Sequence, residues 1–211
     1  LTLIFTIDGE FDMSSIASLI APGTAYVPLR LSGRPIAQKA VVLVLGIAFL
    51  TASSWLTVWT QPVPITMQTF AVLMVGALCG WRLGVATVVA WLALAIQFPL
   101  LSEYKTLAMV VTTHGYLAAF VVMAAFVGFM AERGWTARPI PAFLVLLAAE
   151  VICFVLGAAW LSIVPIDSEG HTLGLAKAIQ YGVTPFLFAD LVKVLLAVAV
   201  LTAFRRALPR T

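Results

Sequence analysis

The chain has 211 residues, of which 63% are hydrophobic and 10% charged, against roughly 45–50% apolar and about 25% charged in a soluble domain. At a mean hydropathy of +1.10 there is too little polar surface to cover a water-facing globule. An ordinary cytosolic enzyme, a secreted disulfide scaffold and a disordered regulator are excluded, which leaves an integral membrane protein with lipid as its main solvent. The net charge of +3 reflects Lys and Arg gathered on one face rather than a nucleic-acid partner, and none is expected.

Residues 1–35 read as an N-terminal extension. Leu1–Asp12 (LTLIFTIDGEFD) carries three acids and Met13 follows it, so Met13 is a candidate start and 1–12 a candidate leader or appended stretch. It lacks the basic region and small-residue cleavage site of a signal peptide. From 36 to 206, charges and prolines cut the chain into six apolar runs: Val41–Trp59, Ile65–Trp81, Leu83–Leu101, Thr106–Ala131, Ile140–Ile166 and Ala178–Phe204. Residues 207–211 form a short tail. Only Arg82, flanked by Gly80 and Gly84, separates the second run from the third. Read as one helix, Ile65–Leu101 would be about 55 Å long, nearly twice the roughly 30 Å of a hydrocarbon core. Two helices joined by a tight Gly-Trp-Arg turn are therefore predicted. The expected fold is an all-α integral membrane protein, a single domain of six transmembrane helices.

Six crossings put both termini on one side, with Arg30, Arg34, Lys39, Arg82, Arg133, Arg138, Arg205, Arg206 and Arg210. The opposite loops hold Lys105 and Lys177. Such a bias places both termini in the cytoplasm.

Within the spans each ionisable group needs a reason, because a charge at the bilayer centre costs about 2.5–3.5 kcal/mol on insertion scales. Asp190 and Lys193 stand three residues apart in the last run, on one helical face, in the outer half of the membrane. They can neutralise each other, and in a dry cavity they can accept from and donate to a small polar ligand. Glu150, in the middle of its run, is open to three readings: protonated, paired with Lys193, or facing a polar cavity. His114 opens VTTHGYLAAF, and Tyr116 adds a ring with a polar tip on the same outer side. The segment QPVPIT, Gln61–Thr66, is held extended by its prolines. It leads into Gln68, whose carboxamide can reach the outer half, with Thr66 a plausible cap. Small residues Ala48 and Ala52 recur at helical spacing in the first run, a pattern that serves either bundle packing or docking of another membrane subunit. Cys79 and Cys153 read as packed thiols. The chain has no phosphate-binding GxxxxGK[ST] loop, no metal-ligand cluster and no nucleophile spaced from a base, so no enzyme activity is expected.

Three stretches together are recognisable. PVPITMQTFAVLMVGALCGWRLG (Pro62–Gly84), HGYLAAFVVMAAFVGFMAERG (His114–Gly134) and GVTPFLFADLVKVLLA (Gly182–Ala197) resemble the signatures of the BioY family, the biotin-binding S components of energy-coupling factor (ECF) vitamin transporters. The likeness spans about residues 36–205, and D-x-x-K after P-F is its most specific part. It implies a six-helix protein of the bacterial cytoplasmic membrane that captures biotin from outside. It would work with a transmembrane T subunit and ATPase subunits. No cofactor is implied in this chain, ATP being hydrolysed by the partners. The family's binding Asp and Lys match Asp190 and Lys193, its aromatic residue Tyr116, and its Gln-Thr pair Gln68 and Thr69. The small-residue face that meets the T subunit matches Ala48 and Ala52. Three positions depart from the pattern: His114 and Ala189 stand for glycines, and Glu150 for a polar amide. His114 and Glu150 raise two alternatives, a different small vitamin or heterocyclic acid as ligand, and a solitary proton-coupled carrier needing no ATPase.

Overall fold

A computed structural model describes residues 20–23, 35–58, 63–101, 105–167 and 169–207. Candidate start Met13, the rest of the N-terminal extension and the tail 208–211 lie outside them. The described part of the extension lies against the turn at 134–138, where the Gly23 amide donates to the Gly134 carbonyl at 3.0 Å.

Helix α1, Ile36–Trp55, starts after Pro35, whose fixed φ suits a helix entrance. It buries Leu50, Thr51, Ser53 and Ser54 while Val41, Val44 and Leu45 face outward. That is the reverse of a soluble helix, as expected where lipid covers the outer face. Trp91 Nε1 donates to Thr51 Oγ1 at 3.1 Å, satisfying both buried polar atoms. A two-residue antiparallel ladder follows, β1 (Thr57–Val58) with β2 (Ile65–Thr66), pairing Thr57 with Thr66. The extended segment expected before Thr66 thus ends in a short strand.

Helix α2, Gln68–Ala95, contains a break at Gly80, where φ is 75° and ψ 174°. A Cβ built on Gly84 would sit 3.3 Å from the Gly76 Cα, whereas eight residues of unbroken helix span about 12 Å. The arms 68–79 and 81–95 therefore fold back on each other, and the reversal expected at the Gly-Trp-Arg sequence is centred on Gly80. This φ/ψ region is essentially glycine-only and costs any other residue about 1–3 kcal/mol. Gly80→Ala also drives its methyl towards Glu132 Oε1, 2.5 Å away. It is expected to lower the thermal unfolding midpoint in detergent; an unchanged midpoint would mean that the turn tolerates a side chain.

Two 3-10 turns, Leu107–Met109 and Val111–Thr113, precede α3, His114–Glu132. Gly134, at φ 82°, and a 3-10 turn at Trp135–Ala137 lead into α4, Pro139–Ile163, which has Pro at its start, where a missing N–H does no harm. In the loop beyond, the backbone amide and ring of His171 and the amide of Glu169 hold the exposed Asp167 carboxyl below the usual carboxylate range.

The run expected from Ala178 to Phe204 is not one helix. Gly174–Gly182 forms a short helix, α5, and Phe186–Ala207 forms α6. Pro185, which has no N–H to give a preceding turn, stands between them, and Val183 and Thr184 both donate to the Ile179 carbonyl. Other ends differ as well. The first run begins at Ile36 and ends at Trp55, the third ends at Ala95, and the fourth opens on the two 3-10 turns rather than on α-helix. Phe98 precedes Pro99, which disfavours helix there.

Five helical segments among the described residues are long and apolar enough to cross a membrane: Ile36–Trp55, Gln68–Ala95, Val111–Glu132, Pro139–Ile163 and Phe186–Ala207. The elements alternate in direction. The Gly80 turn, the α3–α4 connection and the C-terminal end of α6 gather at one end, with Arg82, Arg133, Arg138, Arg205 and Arg206. The strand ladder, the start of α3 and the start of α6 gather at the other.

Candidate functional site

At that second end α2, α3, α4 and α6 surround a cavity of about 550 Å³, its open mouth included. Asp190 and Lys193, one turn apart on α6, both line it and are 2% and 5% exposed. The Lys193 ammonium donates to Asp190 Oδ1 at 2.6 Å, the ion pair that three-residue spacing on a helix predicts. Thr69, entering from α2, closes the group. Its hydroxyl donates to Asp190 Oδ1 and accepts from Lys193 Nζ, each at 3.3 Å. Two polar capacities remain. Among the described residues Asp190 Oδ2 has no partner, and an ammonium carries three donors of which two are placed there.

Gln68 also lines the cavity. Thr66 donates its hydroxyl to Gln68 Oε1 at 2.7 Å and accepts from the Gln68 amide at 3.3 Å. Thr66 thereby caps the first turn of α2 and orients the carboxamide. Tyr116 lines the opposite wall. Its hydroxyl donates to the Gly182 carbonyl at 2.8 Å, and its ring stacks on Phe186 with centroids 6.5 Å apart. Gly157 is what allows this, because a Cβ there would fall on the Tyr116 ring. Leu101, Leu117, Phe120 and Phe154 complete an apolar and aromatic wall.

Two candidates from the sequence stand elsewhere. His114 points Nε2 at the Leu107 carbonyl, 2.8 Å away, and its ring lies 6.0 Å from that of Trp160, so it ties the 3-10 turn to α3. Glu150 is 1% exposed and is not among the residues lining the cavity. It lies within electrostatic reach of Asp190 and Lys193 and close to the Thr69 hydroxyl, yet neither carboxylate oxygen closes a hydrogen bond of ordinary geometry among the described residues. No ion pair joins it to Lys193 among the described residues; Lys193 is taken by Asp190. Removing both unpartnered acceptors should help the fold, since each costs about 1–3 kcal/mol. Glu150→Met is therefore expected to raise the thermal midpoint, and a fall would reveal a partner on which the fold depends.

Ala48 and Ala52 are both exposed on α1, the helix with the smallest buried share. Among the cavity residues not singled out from the sequence as site residues are Phe186 and Phe120. The signal was present: Phe186 precedes Asp190 by four residues and Phe120 follows Tyr116 by four, so each pair shares a helical face.

The BioY family profile matches residues 23–210. The biotin transporter BioY of Thermotoga maritima is 31% identical over 165 residues, covering 75% of this chain and 89% of that protein. Biotin transporter BioY2 of Lactococcus lactis subsp. cremoris is 27% identical over 173 residues, covering 81% of this chain and 91% of that one. The fold is shared with the crystal structure of the S-component for biotin from an ECF-type ABC transporter, at a TM-score of 0.66 and 24% identity over 81% of this chain and 92% of that one. With its profile match running almost from end to end and its buried D-x-x-K pair on the last helix, the chain belongs to the BioY family.

Proposed function

We propose that this protein captures biotin in the cavity at the strand-ladder end and delivers it as the S component of an ECF-type ABC importer. The observation that carries this reading is the buried Asp190–Lys193 pair, which lines an otherwise largely apolar cavity and leaves Asp190 Oδ2 unmatched. Biotin offers N–H donors and a carbonyl acceptor on its ureido ring, joined to an apolar thioether ring and an aliphatic chain. Asp190 Oδ2 would accept a ureido N–H, and Lys193 and Gln68 would donate to carbonyl or carboxylate oxygen. Tyr116, Phe186 and Phe120 would cover the apolar part. A ligand with polar groups at one end and hydrocarbon beyond them suits this lining.

Six crossings follow if each arm of α2 spans the bilayer. The basic residues at the Gly80 turn, the α3–α4 connection and the end of α6 then mark the cytoplasmic face, together with both termini. The cavity faces outward in a multi-pass protein of the bacterial cytoplasmic membrane. The chain has no phosphate-binding loop of its own, so ATP hydrolysis falls to partner ATPases. The exposed Ala48 and Ala52 face of α1, where small side chains let a second helix approach closely, would receive the T subunit. Mass spectrometry of the ligand that co-purifies with the protein tests the substrate. Biotin is expected, and a different vitamin or heterocyclic acid in its place would overturn the assignment while leaving the fold intact.

A further inference from the structure

An apolar groove of about 730 Å³, its open side included, lies far from the biotin cavity and is lined by Trp81, Val122, Ala125, Phe126 and Phe129. The α3 residues fall at helical spacing and form a stripe about 10 Å long, beside the first residue of the returning α2 arm. Both aromatic walls carry a guanidinium. Arg82 lies 5.3 Å from the centroid of the Trp81 ring, and Arg133 lies 3.2 Å from that of Phe129. Both arginines are exposed, and neither forms an ion pair among the described residues. The neighbouring Glu132 accepts from the Trp81 amide at 3.3 Å and keeps its charge, so the rim holds two guanidiniums against one carboxylate.

We propose that this groove is a binding site for an anionic phospholipid, with an acyl chain along Val122–Phe129 and the phosphate between Arg82 and Arg133. Arg is suited to the headgroup because its planar fork matches phosphate oxygens and it gives up hydration more readily than Lys. Basic pockets between membrane helices take anionic headgroups in the same way. A zwitterionic lipid brings a phosphate too, but its quaternary ammonium offsets that charge and leaves the two guanidiniums uncompensated. A second copy of this chain would bring its own arginines to the rim and repel them.

The experiment is native mass spectrometry of the full chain in detergent, titrated with phosphatidylglycerol or with phosphatidylcholine of the same acyl chains. Because both lipids carry the phosphate and only phosphatidylcholine adds a cation beside it, the expected preference is several-fold for phosphatidylglycerol. The double variant Arg82→Gln/Arg133→Gln is expected to lose that preference, and Trp81→Ala to weaken both lipids. An unchanged thermal midpoint would show that the variants still fold. Equal retention of the two lipids by the unmodified chain overturns the proposal, as does a preference that survives in the double variant. A dimer that Trp81→Ala dissociates, with no lipid selectivity, would assign the groove to a second copy instead.

Discussion

Asp190→Asn is expected to weaken biotin binding by about 10- to 100-fold, since a hydrogen bond to a charged group contributes about 1.5–3 kcal/mol and each 1.4 kcal/mol is tenfold. The substitution keeps the shape of the side chain and removes its charge. The Lys193 ammonium, 5% exposed, is then left in the protein interior without a counter-ion. Lys193→Ala strands Asp190 in the same way. Each single variant should therefore lose stability as well as affinity, and a binding assay alone could not separate the two. The double variant Asp190→Leu/Lys193→Met can. Apolar replacement of a whole buried pair is often neutral or stabilising by 1–4 kcal/mol, so its thermal midpoint should return to or exceed that of the unmodified chain. Biotin binding should stay lost. A double variant that binds biotin normally would mean that the pair serves packing and that the ligand is read by other groups.

Gly157→Ala carries the second large expected effect. Tyr116 is clamped between α4 and α5. A methyl at Gly157 falls on its ring, and one at Gly182 falls on its hydroxyl oxygen. The ring cannot retreat without giving up the bond to the Gly182 carbonyl and the stacking on Phe186. Overpacking of this kind costs about 1–3 kcal/mol, and here it also moves a wall of the cavity. Lower stability and a biotin affinity reduced by about tenfold or more are expected. Tyr116→Ala alone leaves a cavity, at about 3–5 kcal/mol for a large aromatic. In the Gly157→Ala background the two losses of stability should be less than additive, because the clash goes with the ring, while affinity stays lost. Additive losses of stability in that double variant would count against the clash, since only residues in contact couple strongly.

Much of this arrangement was legible in the sequence because it follows from short spacings. Asp190 and Lys193, three residues apart on one helix, meet at 2.6 Å. The break at Gly80 follows from an apolar stretch too long for one crossing, interrupted only by a glycine-flanked arginine. What escaped depended on partners distant in sequence. The cavity side of Thr69 is set by α6, 121 residues away in the hydrogen bond to Asp190, and entered the reading only through a family resemblance. Glu150 looked like a member of the cavity because it is an acid in mid-membrane, but its position on α4 sets it behind the lining. His114 looked like a ligand group, and a carbonyl of the preceding 3-10 turn holds it instead. The short α5 was hidden because hydropathy counts side chains and Pro185 acts through the backbone.

The most direct test is calorimetric titration of the purified chain with biotin. One site per chain with submicromolar affinity is expected, weakened at least about tenfold in Asp190→Asn. A folded protein that takes up no biotin, or that binds it equally well with Asp190→Asn, would contradict the assignment of the cavity to this vitamin.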